Sequence, residues 1–168
     1  MRFNPREYGF TPIAPHTALW RGFWCEYKVL NDRLVLDTLH IYQDRGIPYP
    51  PLNGVGPEFS GRDGSMAEYH DLNMTVNYNG SIVLGKDFLQ QYYIHMGFQR
   101  AWAYKTVIEL IFKDGAVVER KDHSDYVAKL REKIDADPQS FKTQLTGDIH
   151  KFVEDSFSLE PSVKAWWI

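Results

Sequence analysis

The sequence predicts an α+β domain, an antiparallel, meander-like sheet of about seven strands with C-terminal helices packed on it. Three observations carry that expectation. Between residues 19 and 120, apolar and aromatic residues recur in short strand-like runs. Turn dipeptides, Asn31-Asp32, Asn79-Gly80 and Asp114-Gly115, punctuate those runs. From Ser124 onward the apolar period becomes helical. A barrel-like closure of the sheet is compatible with the same pattern.

Leu19 to Val29 alternates at period two, with Leu19, Arg21, Phe23, Cys25, Tyr27 and Val29 on one face and Trp20, Gly22, Trp24, Glu26 and Lys28 on the other. Asn31-Asp32 then turns the chain into a return strand, Leu34 to Ile41. Leu72 to Tyr78, Asn79-Gly80 and Ser81 to Leu84 read as a second hairpin, because Asn-Gly accepts positive φ cheaply. Gly85-Lys86-Asp87 reads as a further turn, and Phe88 to Met96 as an aromatic strand. Tyr104 to Phe112 is a nearly continuous apolar run, suited to a strand covered on both faces. Asp114-Gly115 turns it into residues 116–120.

Ser124 is the expected N-cap of a helix carrying Val127, Leu130 and Ile134. Asp137-Pro138 is a second helix start, followed by the stripe Phe141, Leu145, Ile149, Phe152 and Val153. Residues 44–70 hold four prolines and five glycines, Pro48, Pro50, Pro51 and Pro57 with Gly46, Gly54, Gly56, Gly61 and Gly64, and predict a long loop without regular structure. The expected organisation is one domain over 1–168, with a sheet part at 18–122 and a helical tail at 123–168.

The chain has 168 residues, with 19 Lys+Arg against 22 Asp+Glu and a net charge of −3. That balance argues against an electrostatic nucleic-acid binder. No apolar run approaches the roughly 18 residues of a membrane span. The residues before His16 are broken by Pro5, Pro12 and Pro15 and contain no signal-like apolar stretch, so a cytoplasmic location is expected. The single cysteine, Cys25, excludes an internal disulfide and a multi-cysteine zinc site. On its strand face it reads as a small buried hydrophobe.

No nucleotide, phosphate-loop, nucleophile-elbow or paired-histidine motif is present, so nothing calls for a cofactor or a metal. Four residues are candidates for ligand binding: Arg21, His95, Tyr93 and His70. Arg21 on an apolar strand face reads as a structural ion pair, or as an anion clamp within a cavity. His95 reads as a satisfied core histidine, or as an acid–base group or ligand, with Tyr92 or Tyr93 orienting the bound molecule. His70 lies beside Asp71, but neighbours on an extended chain point to opposite faces. Glu26, Glu58, Glu68 and Asp63 offer carboxylates whose separation nothing local determines.

Two segments carry a resemblance. Trp20-Arg21-Gly22-Phe23-Trp24-Cys25-Glu26-Tyr27, followed by Asn31-Asp32-Arg33-Leu34-Val35-Leu36, resembles the opening hairpin of a group of uncharacterised bacterial proteins. Tyr93-Ile94-His95-Met96-Gly97-Phe98 is similar to that group's aromatic-Val-His-Met-Gly-aromatic signature, and Gly80 to Gly85 fits its lead-in. The likeness covers about residues 18–120. In the group the signature continues into a serine, tyrosine and glutamate, which Gln99 to Lys105 do not reproduce. The resemblance implies a bacterial domain and carries over no mechanism. The functional expectation is a non-catalytic protein-interaction domain, with an immunity-type protein that neutralises a toxin as one version. The alternative is a small-molecule binder or enzyme with an aromatic-lined pocket using Arg21 and His95.

Overall fold

The structure, a computed structural model, describes residues 3–44, 46–61, 64–93 and 99–137. The predicted helical stripe beyond Pro138 and the terminal Trp166-Trp167-Ile168 lie outside the described residues, as does His95. Among the described residues eight strands form an antiparallel sheet, not closed into a barrel, followed by one helix. The strands are β1 (Phe23–Leu30), β2 (Arg33–Tyr42), β3 (Glu58–Ser60), β4 (Met66–Tyr69), β5 (Met74–Thr75), β6 (Gly80–Phe88), β7 (Tyr104–Lys113) and β8 (Ala116–Asp122), and the helix is α1 (Ser124–Ala136). Their hydrogen-bonded order is β3-β4-β2-β8-β7-β6, with β1 and β5 also paired to β2. The fold is therefore α+β and mostly sheet. The chain divides into two compact units, Met1–Asn79 with Lys113–Val117, and Gly80–Phe112 with Val118–Ile168.

In the first unit β2 is the central strand. β1 pairs along its whole length, while β4, β5 and the first residue of β8 share other stretches of it. The Asn31-Asp32 hairpin forms as predicted, with φ of 49° and 57° at the two turn residues. The register then slips: Tyr27 opposes Leu36 but Glu26 opposes Thr38, so Asp37 is an extra residue in β2. A bulge of this kind shifts the alternation. Leu36 before it and Leu39 and Ile41 after it all enter one core, with Phe10, Leu52, Ala67, Tyr69 and Leu72. His40 is turned to the opposite face, which strict alternation from Leu36 would not have done.

The predicted strand from Leu19 begins only at Phe23. Thr17–Leu19 is a 3-10 turn, and Gly22 follows at φ 74°. A Cβ on Gly22 would lie 2.3 Å from the Ile13 carbonyl oxygen, so the chain can pass there only as glycine. The predicted loop 44–70 contains regular structure after all, because β3 and β4 pair as a hairpin within it. The rest is tied by side chains. The Gln43 amide donates to the Pro48 carbonyl at 2.9 Å, the Tyr69 hydroxyl to the Pro50 carbonyl at 2.8 Å, and the Asn53 amide to the Leu72 carbonyl at 2.8 Å.

Asn79-Gly80 is not a hairpin turn. Asn79 does not adopt positive φ, and its amide brackets Asp114, accepting the Asp114 N–H at 2.8 Å. The expected Leu72 to Tyr78 strand shrinks to β5, paired with β2. Asp114-Gly115 is the turn predicted, at φ 49° and 76°.

In the second unit β6 runs through the predicted turn at Gly85-Lys86-Asp87 and pairs with β7 as far as Phe88 opposite Tyr104. Of the expected Phe88 to Met96 strand, Phe88 ends β6, Gln90–Tyr92 is a 3-10 turn, and residues 94–96 lie outside the described residues. Val127 of α1 packs with Ala101 and Val107 in a second core. Ser124 is the first helical residue, not the N-cap. Its hydroxyl accepts the Val107 N–H at 3.1 Å, and its own N–H donates to the Asp122 carboxylate. Arg131 fastens the helix by donating to the Tyr104 carbonyl at 2.7 Å.

Candidate functional site

Residues opposite one another in an antiparallel pair project to the same face. The register therefore places Trp24 beside His40 and His40 beside Glu68, with Glu58 opposite Glu68 in turn. Glu26, Ser60 and His70 stand two residues along their chains from these and share the face. The face away from the core thus gathers carboxylates, imidazoles and an indole in the first unit.

Their geometry is close. His40 Nε2–H donates to Glu26 Oε1 at 3.0 Å, and the Trp24 ring stacks on the imidazole with centroids 4.3 Å apart and planes inclined by 8°. His40 Nδ1 lies 3.8 Å from Glu68 Oε1, too far for a hydrogen bond, and is a buried nitrogen with no hydrogen-bond partner. Glu68 Oε2 lies 3.0 Å from His70 Nε2, and Glu68 Oε1 accepts the Ser60 hydroxyl. The Ser60 hydrogen bond, with smaller help from the His40 and His70 imidazoles, holds the Glu68 carboxyl below its ordinary value against the opposing effect of burial. His40 is 9% exposed, whereas Trp24 is 39% exposed and the Glu26 side chain 60%. The cluster has a closed centre and an open rim.

The core side of β1 behaves differently. Burial pushes the Cys25 thiol up to about 11, although its hydrogen bond with Tyr27 opposes the shift. A thiol so protonated near neutral pH is a poor nucleophile, in keeping with its reading as a packing residue.

Of the four sequence candidates, only His70 joins the cluster, and its partner is Glu68, not Asp71. Arg21 is exposed on the turn before β1 and is not part of the strand face. Tyr93 belongs to the second unit, half-exposed, with its ring edge-on to Phe88 at 6.5 Å. His95 lies outside the described residues. Sequence reasoning did not single out His40 or Trp24, nor couple Glu26 to Glu68. The one signal was spacing: Glu68 and His70 are two positions apart, which gives a common face only where the chain is extended, and residues 44–70 read as a loop. His40 carried no comparable signal, because its face depends on the bulge.

Among the described residues no group of three or more His, Cys, Asp or Glu side chains is placed to hold a metal ion. Two clefts in the first unit lie elsewhere. One, of about 400 Å³, is lined by Gln43, Asp44, Tyr49 and Ser65 among others, and a smaller one, of about 80 Å³, by Phe3, Tyr8, Met74 and Val76 among others. No described helix is long and apolar enough to cross a membrane. In comparisons with family models, curated proteins and solved structures, nothing matches this chain.

Proposed function

We propose that this chain is a protein-interaction domain, and that the open face around Trp24 recognises a basic segment of its partner. The observation that carries the reading is the convergence of Glu26 and Glu68 on His40 beneath a half-exposed indole. Carboxylates favour a guanidinium or ammonium group, and an indole adds cation–π attraction. Trp is also a residue type on which binding energy concentrates at interfaces. Glu58, exposed at the edge of the same face, extends the acidic rim. An immunity-type role, neutralising a toxin whose active surface is basic, is one version. The bacterial, cytoplasmic setting belongs to the same proposal. A pocket shared by Arg21 and His95 has no such support, since Arg21 is exposed on a turn.

The test is a fluorescence and calorimetric titration with a nona-arginine peptide, and with a nona-glutamate peptide as control, at about 0.15 M salt, where long-range attraction is screened. Saturable binding of the arginine peptide is expected, with its fluorescence change lost in Trp24→Phe and its affinity lowered in Glu68→Gln. Binding that is indifferent to both substitutions would place recognition elsewhere and overturn the reading.

A further inference from the structure

We propose that two copies of this chain associate through β1, edge to edge and antiparallel, about a two-fold axis at Tyr27. The interface draws on Trp24 and Glu26 of the face described above, so a second copy and a basic partner segment compete for that rim, while the dimer itself rests on the backbone edge of β1.

β1 is an edge strand: among the described residues it pairs with β2 alone. Its backbone direction follows from two anchors. The Gly22 carbonyl accepts the Tyr42 N–H, and Leu30 with Arg33 closes a two-residue hairpin, so even-numbered residues turn their amides toward β2. Phe23, Cys25, Tyr27 and Val29 therefore present N–H and C=O groups to the free edge. Proteins ordinarily protect such an edge with proline, a bulge or an outward lysine. β1 contains no proline, and the extra residue of its bulge lies in β2. Its one lysine, Lys28, is held to Asp37 of the neighbouring strand at 2.6 Å. The edge is eight residues long and exposes Trp24, Tyr27, Val29 and Leu30.

The occupant is read from the sequence of the strand itself. With the axis at Tyr27, Glu26 of each copy stands opposite Lys28 of the other. Trp24 meets Leu30, Cys25 meets Val29, and Tyr27 meets Tyr27. Both charge pairs and both Trp–Leu pairs occupy non-hydrogen-bonded sites, where side chains come closest. His40 holds Glu26 through Oε1 and Asp37 holds Lys28, but the two side chains remain 60% and 37% exposed, so each charge keeps an open flank for its counterpart. A closed two-fold pairing consumes both edges at once and leaves no further strand-adding surface on β1.

The test measures molar mass by analytical ultracentrifugation over a concentration series. The wild-type chain is expected to dimerise reversibly. Glu26→Lys and Lys28→Glu each place like charges opposite one another, so each variant alone should associate about tenfold or more weakly. Mixed in equal amounts, the two variants restore opposite charges across the strand pair and should form a mixed dimer. Val29→Pro removes an outward N–H without touching the β2 ladder, and should abolish the dimer while circular dichroism shows the sheet retained. It keeps the test decisive if a charge variant fails to fold. A wild-type chain that stays monomeric, a dimer that survives Val29→Pro, or folded charge variants that remain monomeric on mixing would each overturn the proposal.

Discussion

Each unit contains a histidine–glutamate pair at 3.0 Å, His40 with Glu26 in the first and His123 with Glu109 in the second. Both pairs join residues 14 positions apart in the chain. The environments differ in which partner is sheltered. In the first unit the imidazole is buried and the Glu26 carboxylate is open to water. In the second the Glu109 carboxylate is only 4% exposed, and His123 is the partner nearer solvent. A buried carboxylate depends on its partner, because desolvating an unpaired charge is costly. An exposed one remains hydrated whether or not the pair forms. The same pair is thus structural in the second unit, and in the first it forms the rim of a surface that can meet another molecule.

The largest expected effect breaks the sheltered pair. His123→Ala leaves Glu109 buried and unpaired and should cost about 3 kcal/mol or more in urea unfolding. A loss below about 1 kcal/mol would show that the two pairs are equivalent and would remove the contrast. Glu68→Gln is next, at about 1–2 kcal/mol, since it replaces a charged acceptor of the Ser60 and His70 contacts.

Glu68 also makes the contrast pH-dependent. Its folded carboxyl titrates below the ordinary 4.5, so its contribution is complete above about pH 4.5 and is lost as pH falls through the lower folded value. The thermal midpoint of Glu68→Gln should accordingly fall less steeply than that of wild type below about pH 4.5. Parallel curves would mean that Glu68 does not carry this dependence.

Glu26→Gln should cost under about 1 kcal/mol, as for other exposed pairs. The smallest effect expected is on Cys25, whose thiol is pushed up to about 11 by burial. Alkylation by iodoacetamide at neutral pH should be slow in wild type and equally slow in His123→Ala at temperatures well below the thermal midpoint of either protein. Fast labelling in that variant would show that losing the second unit's pair opens the first.

Local signals could be read in advance in both units, and failed in both where a distant residue intervened. The β7 strand, the Asp114-Gly115 turn and α1 follow from local apolar period and turn chemistry, and the structure contains them near their predicted bounds. Ser124 was misplaced by one position because its hydroxyl is taken by the Val107 N–H from a distant strand. Asn79-Gly80 misled for a related reason. Its dipeptide favours a hairpin, but Asn79 is engaged by Asp114 and Gly80 starts a strand that pairs with β7. In the candidate site, Glu68 and His70 fell in a segment read as a loop, so their common face was not legible, and neither were Trp24, Glu26 and His40 as a group.

What the sequence by itself determined is the fold class, the Asn31-Asp32 and Asp114-Gly115 turns, the two longest strands, β2 and β7, and the helix after Ser124. These depend on residues within a few positions of one another, whose dihedral preferences and apolar spacing act locally. The cluster around His40 was decided by tertiary structure. One extra residue at Asp37 reverses the alternation of β2, and β4, arriving from beyond the Pro- and Gly-rich segment, brings Glu68 and His70 alongside. The face of a strand flips with each single-residue slip, and the slip is set by which distant strands pair and which side chains fill the core.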